Sequence, residues 1–192
     1  MTVKSRSAMA WLGAPDGASL MLRSSPLSRA MMSGVVISLR TAPASCARRS
    51  TPREIAEQVR KMVAGEGVVF ADLFAADGVL AYPFAPPGHP SQLRGREAIR
   101  AYFAGMGASR GLFAMEGVEA RTWQTDDPEV AITEITHHGQ SAVTGAPYRF
   151  TALGVLRVRE GEIVRYDDYM DPIALARLLG RTQELATALS AT

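Results

Sequence analysis

Alternating hydrophobic and polar residues define two neighbouring segments within residues 147–172. In the first segment the apolar set occupies the even positions, which are Tyr148, Phe150, Ala152, Gly154, Leu156 and Val158. Because successive side chains of a β-strand point to opposite faces, this spacing predicts a strand whose even positions face a core. Residues 159–162 follow as a turn, in which Gly161 can take a positive φ. The two segments are therefore predicted to form a long β-hairpin.

The second arm of this hairpin has a carboxylate on its more apolar face. That face consists of Val164, Tyr166, Asp168 and Met170. The opposite face consists of Ile163, Arg165, Asp167 and Tyr169. Burial disfavours the charged form of a carboxylate unless the group has partners or a catalytic task. Asp168 is therefore the main candidate for acid–base chemistry, with a bond to a core tyrosine or a helix cap as the structural alternative, whereas Asp167 and Asp171 are predicted to be surface charges.

Helices and further strands are predicted before and after the hairpin. Thr51-Pro52-Arg53-Glu54 is a capping box with proline at the first helical position, which predicts a helix start. Other helices are expected over residues 68–75, 96–106 and 173–179, and strands over 79–84, 115–124 and 129–140. Phe70, Leu73 and Phe74 are the expected buried residues of the helix at 68–75. Leu80, Tyr82 and Phe84 form the predicted apolar face of the strand at 79–84.

This order of elements predicts an α+β fold, in which helices cover one face of a curved, mainly antiparallel sheet. The covered face can enclose a pocket. The Pro-rich loop over residues 83–95 is expected to form its rim, with His89 in solvent. We predict one domain over residues 51–180 and a tail over 181–192.

The charge of the 192-residue chain is concentrated in its first 50 residues, which hold seven basic groups against the single acid Asp16. Residues 51–192 consequently carry a net charge of −4, which argues against nucleic-acid binding by the folded part. Residues 1–50 are interpreted as a disordered leader or a start site assigned too far upstream. Weak features of a transit peptide and of a lipoprotein signal at Cys46 also occur.

Membrane, metal and cofactor sites are not predicted. The longest apolar run of the leader is far shorter than the roughly 18 residues of a membrane-spanning helix. The sole cysteine lies in the leader, which excludes an internal disulfide and suits a cytoplasmic protein. The three histidines have no metal-binding spacing, and no Gly-rich phosphate-binding motif occurs.

The strand predicted over residues 129–140 contains two adjacent histidines. One of His137 and His138 must face inward, but the two alternating sets of this strand are nearly equal in polarity, so the pattern leaves both possible. Tyr82 is either a donor at the pocket or a core residue with its hydroxyl at the rim.

Three segments in order, LFAADGVLAYPF, RGREAIRAYF and TGAPYRFTALGVLRVREGEIVRYDDYMDP, resemble the SnoaL-like polyketide cyclases. These belong to the nuclear transport factor 2-like superfamily, which includes the ketosteroid isomerases. The resemblance covers about residues 51–180. It implies a cone, in which a curved mixed sheet wraps around N-terminal helices and encloses a pocket. It also implies cofactor-independent chemistry of secondary metabolism and a homodimer, for which Leu153 and Val155 offer apolar side chains on the outer face.

Two narrower resemblances concern the end of the hairpin. Residues 144–154 and 166–171 are similar to limonene epoxide hydrolase, and the match places the first aspartate of its Trp-Arg-Asp-Tyr-Phe-Asp motif, which is catalytic, at Asp168. That hydrolase also needs an Arg-x-Asp pair on the preceding strand, where this chain has Ile135 and His137. Residues 169–172 and the hairpin also resemble the phenazine-biosynthesis A/B proteins.

Two classes of function remain open. In the first, Asp168 is general base or acid on a hydrophobic, polyketide-like carbonyl compound, and Tyr82 or His137 donates to the developing oxyanion during aldol cyclisation or isomerisation. In the second, the protein binds a hydrophobic ligand without catalysis, and a second polar group near Asp168 would distinguish the two. The predicted substrate contacts are Phe84, Tyr148, Phe150, Tyr166, Met170, His138 and Glu134.

Overall fold

The structure is a computed structural model that describes residues 48–105 and 113–191. Its helices are α1 (Pro52–Val63), α2 (Arg96–Gly105), α3 (Pro172–Leu178) and α4 (Thr182–Ser190), with a short 3-10 helix over Phe70–Leu73. Its strands are β1 (Phe74–Ala81), β2 (Gln92–Arg94), β3 (Phe113–Gln124), β4 (Val130–Ser141), β5 (Pro147–Arg159) and β6 (Glu162–Met170). The predicted α+β class is confirmed.

The described strands form one mixed sheet in the order β2-β1-β6-β5-β4-β3. Only β1 and β6 pair in parallel among the described strands, and the other neighbours are antiparallel. Helix α1 packs on β3, β4 and β5, and α2 packs on β1. The core lies between these helices and the inner face of the sheet, as in the predicted cone.

The capping box at the start of α1 is present as predicted. The Thr51 backbone N–H donates to Glu54 Oε2 over 2.8 Å, and the Glu54 N–H donates to Thr51 Oγ1 over 3.3 Å. Ile55, Ala56 and Val59 then bury one face of the helix. Two backbone donors that have no intrahelical partner are thereby satisfied, which stabilises a helix start by about 1 kcal/mol.

The β5–β6 hairpin closes through a two-residue turn. Glu160 and Gly161 both have positive φ, 55° and 86°, which is the backbone of a type I′ turn. The even positions of β5 face inward as predicted, and Gly154, Leu156 and Val158 are buried.

The prediction for the start of β6 is wrong. Ile163 is fully buried, whereas Val164 is only half-buried, because the register of the hairpin shifts between Arg157 and Val158. One residue of β5 is there opposed by two of β6, so Val164 is the extra residue of a bulge. Side-chain parity reverses across it, and Tyr166 and Asp168 point inward beyond it.

Other boundaries differ from the sequence predictions. The helix expected over residues 68–75 is a single 3-10 turn, after which Phe74 already belongs to β1. The strand predicted to begin at Val79 already begins at Phe74, and its register against β6 shifts between Phe74 and Val79. The segment predicted to be a tail contains α4, whose Leu185 is buried.

The predicted leader, residues 1–50 with Cys46, lies almost wholly outside the described residues. Within the described part of the chain, no helix is both long enough and apolar enough to cross a membrane.

The outer face of the sheet has an apolar patch, formed by Trp123, Ile132, Leu153 and Val155. Cross-strand pairing brings Trp123, Ile132 and Val155 into one row, and Trp123 and Leu153 are 48% and 37% exposed. We expect this patch to be the interface of a homodimer, because neighbouring exposed apolar side chains on a sheet favour association. Leu153→Lys should therefore sediment as a monomer at micromolar concentration.

The matched control for this prediction is Gln183→Lys, which adds the same charge at an exposed site on α4. It should sediment like the wild type. A monomeric wild type would contradict the prediction.

Candidate functional site

Asp168 is held on the inner face of β6, opposite Gly154 of β5. Its side chain remains partly accessible, but protein atoms surround the carboxylate. Among the described residues, none donates a hydrogen bond to it or forms an ion pair with it. Burial therefore raises the pKa of Asp168 from 3.8 to about 7. At neutral pH the group is poised between its base and acid forms.

Three tyrosines lie close enough to Asp168 for its charge to act on them: Tyr82, Tyr102 and Tyr166. Burial raises the pKa of all three, and the Asp168 carboxylate adds to each shift. The hydroxyls are consequently un-ionised donors at physiological pH. Three polar hydroxyls therefore lie near Asp168, and none of them donates a hydrogen bond to it within the described part of the chain.

Gly154 makes room for one of these hydroxyls. A Cβ built on Gly154 would overlap the Tyr166 hydroxyl and lie 2.5 Å from its Cζ. Tyr166 thus lies across the backbone of the residue that faces Asp168 in the neighbouring strand. Its hydroxyl has no hydrogen-bond partner within the described part of the chain, so it is available to a ligand.

His89 was predicted to lie in solvent, and this prediction is wrong. It is half-buried in the loop after β1, and its ring meets Tyr82 edge-on with centroids 4.8 Å apart. His89 Nε2 lies 2.9 Å from the Tyr102 hydroxyl, and Nδ1 lies 2.9 Å from the Pro90 carbonyl oxygen. Burial lowers the pKa of His89.

The structure separates His137 from Asp168. His137 pairs with inward-facing Phe150, so it is the histidine of β4 that points inward. Asp168 pairs with Gly154 of β5, and Gly154 pairs in turn with Thr133 of β4. His137 is therefore two strands away from Asp168 and four residues further along β4. Standard strand dimensions place the two Cα atoms about 15 Å apart. His137 Nδ1 instead lies 3.1 Å from the Tyr148 hydroxyl.

Three predicted substrate contacts do not lie on the inner face of the sheet. Glu134 and His138 pair with Leu153 and Arg149 of the outer face, because the odd residues of β4 are the inward ones. Phe84 is 60% exposed and stacks edge-on against outward-facing Tyr169, with centroids 5.5 Å apart, because β1 ends before it at Ala81. These predictions are corrected.

The other predicted contacts, Tyr148, Phe150, Tyr166 and Met170, are on the inner face. Tyr148 and Phe150 also line a groove of about 360 Å³ between the start of β5 and α3, where Arg177 and Leu178 form the opposite wall. Asp168 is not part of this groove. The candidate reactive groups are those of the cluster of Asp168 and the tyrosines, not those of this groove.

Metal-binding clusters of three or more His, Cys, Asp or Glu side chains do not occur within residues 48–105 and 113–191. Asp171, predicted to be only a surface charge, caps α3 by accepting hydrogen bonds from the backbone of Ile173 and Ala174.

Sequence reasoning missed Tyr102 and His89 as members of the site. Tyr102 lies in the helix predicted over residues 96–106, where it belongs to an apolar stripe with Ile99 and Phe103. A polar hydroxyl within such a stripe is the signal that could have identified it, since a buried tyrosine hydroxyl usually finds a partner.

Comparison with known proteins agrees with this architecture. A curated relative, an uncharacterised PhzA/B-like protein of Pseudomonas aeruginosa, is 30% identical over 132 residues, which are 69% of this chain and 92% of that protein. A "putative isomerase" from Bacillus subtilis, whose structure is solved, has a TM-score of 0.57 and 26% identity, covering 69% of this chain and 97% of that one. A "putative polyketide cyclase" from Pseudomonas putida, with a TM-score of 0.53 and 18% identity over 67% of this chain and 98% of that one, shows the shared fold alone.

Residues 55–166 match the family model of the SnoaL-like domain, which is more than half of the chain. The resemblance inferred from the three sequence segments is thereby confirmed, and the chain belongs to the SnoaL-like family.

Proposed function

We propose that this protein is a cofactor-independent acid–base enzyme that acts on a hydrophobic carbonyl compound, by isomerisation or aldol cyclisation. The observation that carries the proposal is the Asp168 carboxylate, which is buried, has no hydrogen-bond donor among the described residues and lies close enough to Tyr82 and Tyr166 for its charge to raise their pKa values. A structural carboxylate at such a site would be expected to have a cation or a donor as partner.

In the proposed reaction, Asp168 removes a proton from the carbon next to the substrate carbonyl. The electron pair of the broken C–H bond moves toward the carbonyl oxygen and forms an enolate. Tyr166 donates a hydrogen bond to this oxygen, and Tyr82 is a second candidate donor. Asp168 then returns its proton, either to another carbon in an isomerisation or to the alkoxide formed when the enolate carbon attacks a second carbonyl.

The acidity of the groups favours this division of roles. A general base works best when its pKa lies near the working pH, and burial brings the pKa of Asp168 to about 7. The tyrosines stay protonated because burial raises their pKa values, so they can stabilise an oxyanion as donors. General base catalysis of this kind contributes on the order of 10² to 10⁴ in rate.

Epoxide hydrolysis is a less well supported alternative. It would require charged partners that position a water next to Asp168, and the corresponding inward position of β4 is occupied by buried Ile135. Among the similar proteins, the name of the Bacillus subtilis "putative isomerase" supports an isomerisation, and it names no substrate.

Proton exchange of a simple ketone tests the proposal. We expect the purified protein to accelerate deuterium incorporation next to the carbonyl of 2-tetralone in D₂O, followed by ¹H NMR. Asp168→Asn should reduce the enzymatic exchange at least 10²-fold. Asp167→Asn is the matched control, because that neighbouring aspartate faces outward and pairs with Arg165 at 2.6 Å, so it should exchange at the wild-type rate.

Binding without catalysis is the competing outcome. If 2-tetralone raises the melting temperature of the wild type and of Asp168→Asn but neither protein accelerates exchange, the protein is a hydrophobic-ligand binder and the catalytic proposal fails.

A further inference from the structure

The inner face of the sheet is filled on one side of Asp168. Asp168 lies opposite Gly154, and a Cβ built on Gly154 would overlap the Tyr166 hydroxyl, so this tyrosine already occupies the space over the glycine. Farther in the same direction, Leu156 and Ile163 are fully buried. A ligand that reaches the Asp168 carboxylate must therefore extend toward the other side.

On that other side, the next inward position of β5 is Ala152. Its side chain is a single methyl group, and the residue is only half-buried. Ala152 pairs with Ile135 of β4 and with Met170 of β6, so neighbouring strands cover it on both sides within the sheet. Ile135 and Phe150, which flank it on the inner face, are only 5% and 7% exposed. Ala152 is thus the floor of a depression between larger side chains.

This depression lies beside the candidate reactive groups. Ala152 is two residues from Gly154, the cross-strand partner of Asp168, which makes Ala152 and Asp168 diagonal neighbours. Diagonal neighbours in an antiparallel sheet are about 7–8 Å apart. A ligand carbon in contact with the Ala152 methyl group, at about 4 Å, is therefore within reach of the carboxylate. The Tyr166 hydroxyl lies over Gly154, next to the same position.

We propose that Ala152 is the specificity-determining residue of this site, which admits the bulk of a hydrophobic carbonyl compound because its side chain is a methyl group. The carbonyl oxygen points toward the Tyr166 hydroxyl, the carbon that loses its proton lies beside Asp168, and the remaining carbon skeleton lies over Ala152. The substrate class is thereby narrowed to carbonyl compounds with a ring or a branched chain at the reacting carbon. The inference deepens the proposed function and rests on it for the reaction, but not for binding.

The size of the side chain at position 152 should then set the preference among ketones. A single methylene group in a hydrophobic pocket changes the discrimination between substrates about 10- to 200-fold. Leucine adds three carbons to the alanine side chain, in the space that the skeleton of a bulky ketone needs. Acetone has no carbons beyond those next to its carbonyl, so the larger side chain obstructs acetone less.

The test compares deuterium exchange of 2-tetralone and of acetone by the full-length protein in D₂O. Ala152→Leu should lower the ratio of the 2-tetralone rate to the acetone rate by about 10²-fold or more relative to the wild type. Ala152→Val should lower it less. Ala186→Leu is the matched control, because it adds the same carbons at an exposed site on α4, and it should have the wild-type ratio.

An unchanged ratio in a folded Ala152→Leu protein overturns the inference. If that variant does not fold, Ala152→Val decides by the same ratio, since valine is smaller than leucine and is favoured in strands.

Ligand binding separates this inference from the proposed function. Addition of 2-tetralone should shift the NMR signal of the Ala152 methyl group in the wild type, and it should raise the melting temperature of the wild type but not of Ala152→Leu. These results, together with no exchange by the wild type, would support the position of Ala152 and reject the proposed function. Exchange by the wild type with an unchanged ratio in Ala152→Leu would do the reverse. A wild type whose Ala152 signal and melting temperature do not respond to 2-tetralone would also overturn the inference.

Discussion

Asp168→Asn should abolish turnover and at the same time raise the melting temperature at pH 8. The amide is nearly isosteric with the carboxylate but can neither take up a proton nor hold a charge, so catalysis by general base is lost. The folded protein is expected to become more stable because a buried charge without a partner is removed. Activity and melting temperature, measured on the same variant, are the two readouts.

The pH dependence of this stabilisation follows from the pKa of Asp168. Its value is about 7 in the folded protein and 3.8 in the unfolded reference, so the folded state binds more protons between these limits. The stability that Asp168 contributes is fully present below pH 3.8 and is lost as the pH rises through 7. The asparagine variant should therefore match the wild type near pH 3.5 and exceed it by roughly 4 kcal/mol at pH 8.

A structural role for Asp168 predicts the opposite pattern. Loss of a buried partner would destabilise the protein by about 3–5 kcal/mol. An active but destabilised Asp168→Asn protein would contradict the role of general base. Asp167→Asn on the outer face should change neither the activity nor the pH dependence.

Gly154→Ala should destabilise the protein by about 1–3 kcal/mol and remove activity, although it adds a single methyl group. The new Cβ would overlap the Tyr166 hydroxyl, and Tyr166 is almost fully buried against Phe70, at 5.7 Å between ring centroids. The tyrosine must move, and its hydroxyl leaves the position facing Asp168. Denaturant unfolding and the deuterium-exchange assay measure the two effects.

A double-mutant cycle isolates this cause. In a Tyr166→Ala background there is no ring to displace, so adding Gly154→Ala should cost little stability. An equal cost in both backgrounds would show that the backbone of β5, rather than Tyr166, requires the glycine.

Local sequence patterns were sufficient to predict several elements of this protein. The capping box at Thr51 and Glu54 satisfies its own backbone donors, so it needs no tertiary contact to start α1. The even face of β5 was predictable because its apolar and polar sets differ strongly. Asp168 was identified for the same reason, as the one acid on an apolar face, and the order of elements with three recognisable segments was enough to indicate the SnoaL-like fold.

Other features depended on how the strands pair. On β4 the two sets of side chains are similar in polarity, and only the pairing of His137 with Phe150 shows that His137 faces inward and Glu134 outward. At the start of β6, the bulge at Val164 reverses the side-chain parity, which no periodic pattern reveals.

The composition of the site was decided by tertiary structure alone. His89 and Tyr102 belong to a loop and a helix that are separate in sequence, and they become partners only because both pack against Tyr82. Hydrophobic periodicity reports which face of one element is buried, because it arises from the geometry of that element. Which polar groups of different elements meet within the core depends on packing between elements. The sequence therefore determined the acid of this site, whereas the folded chain decided which tyrosines and which histidine lie near it.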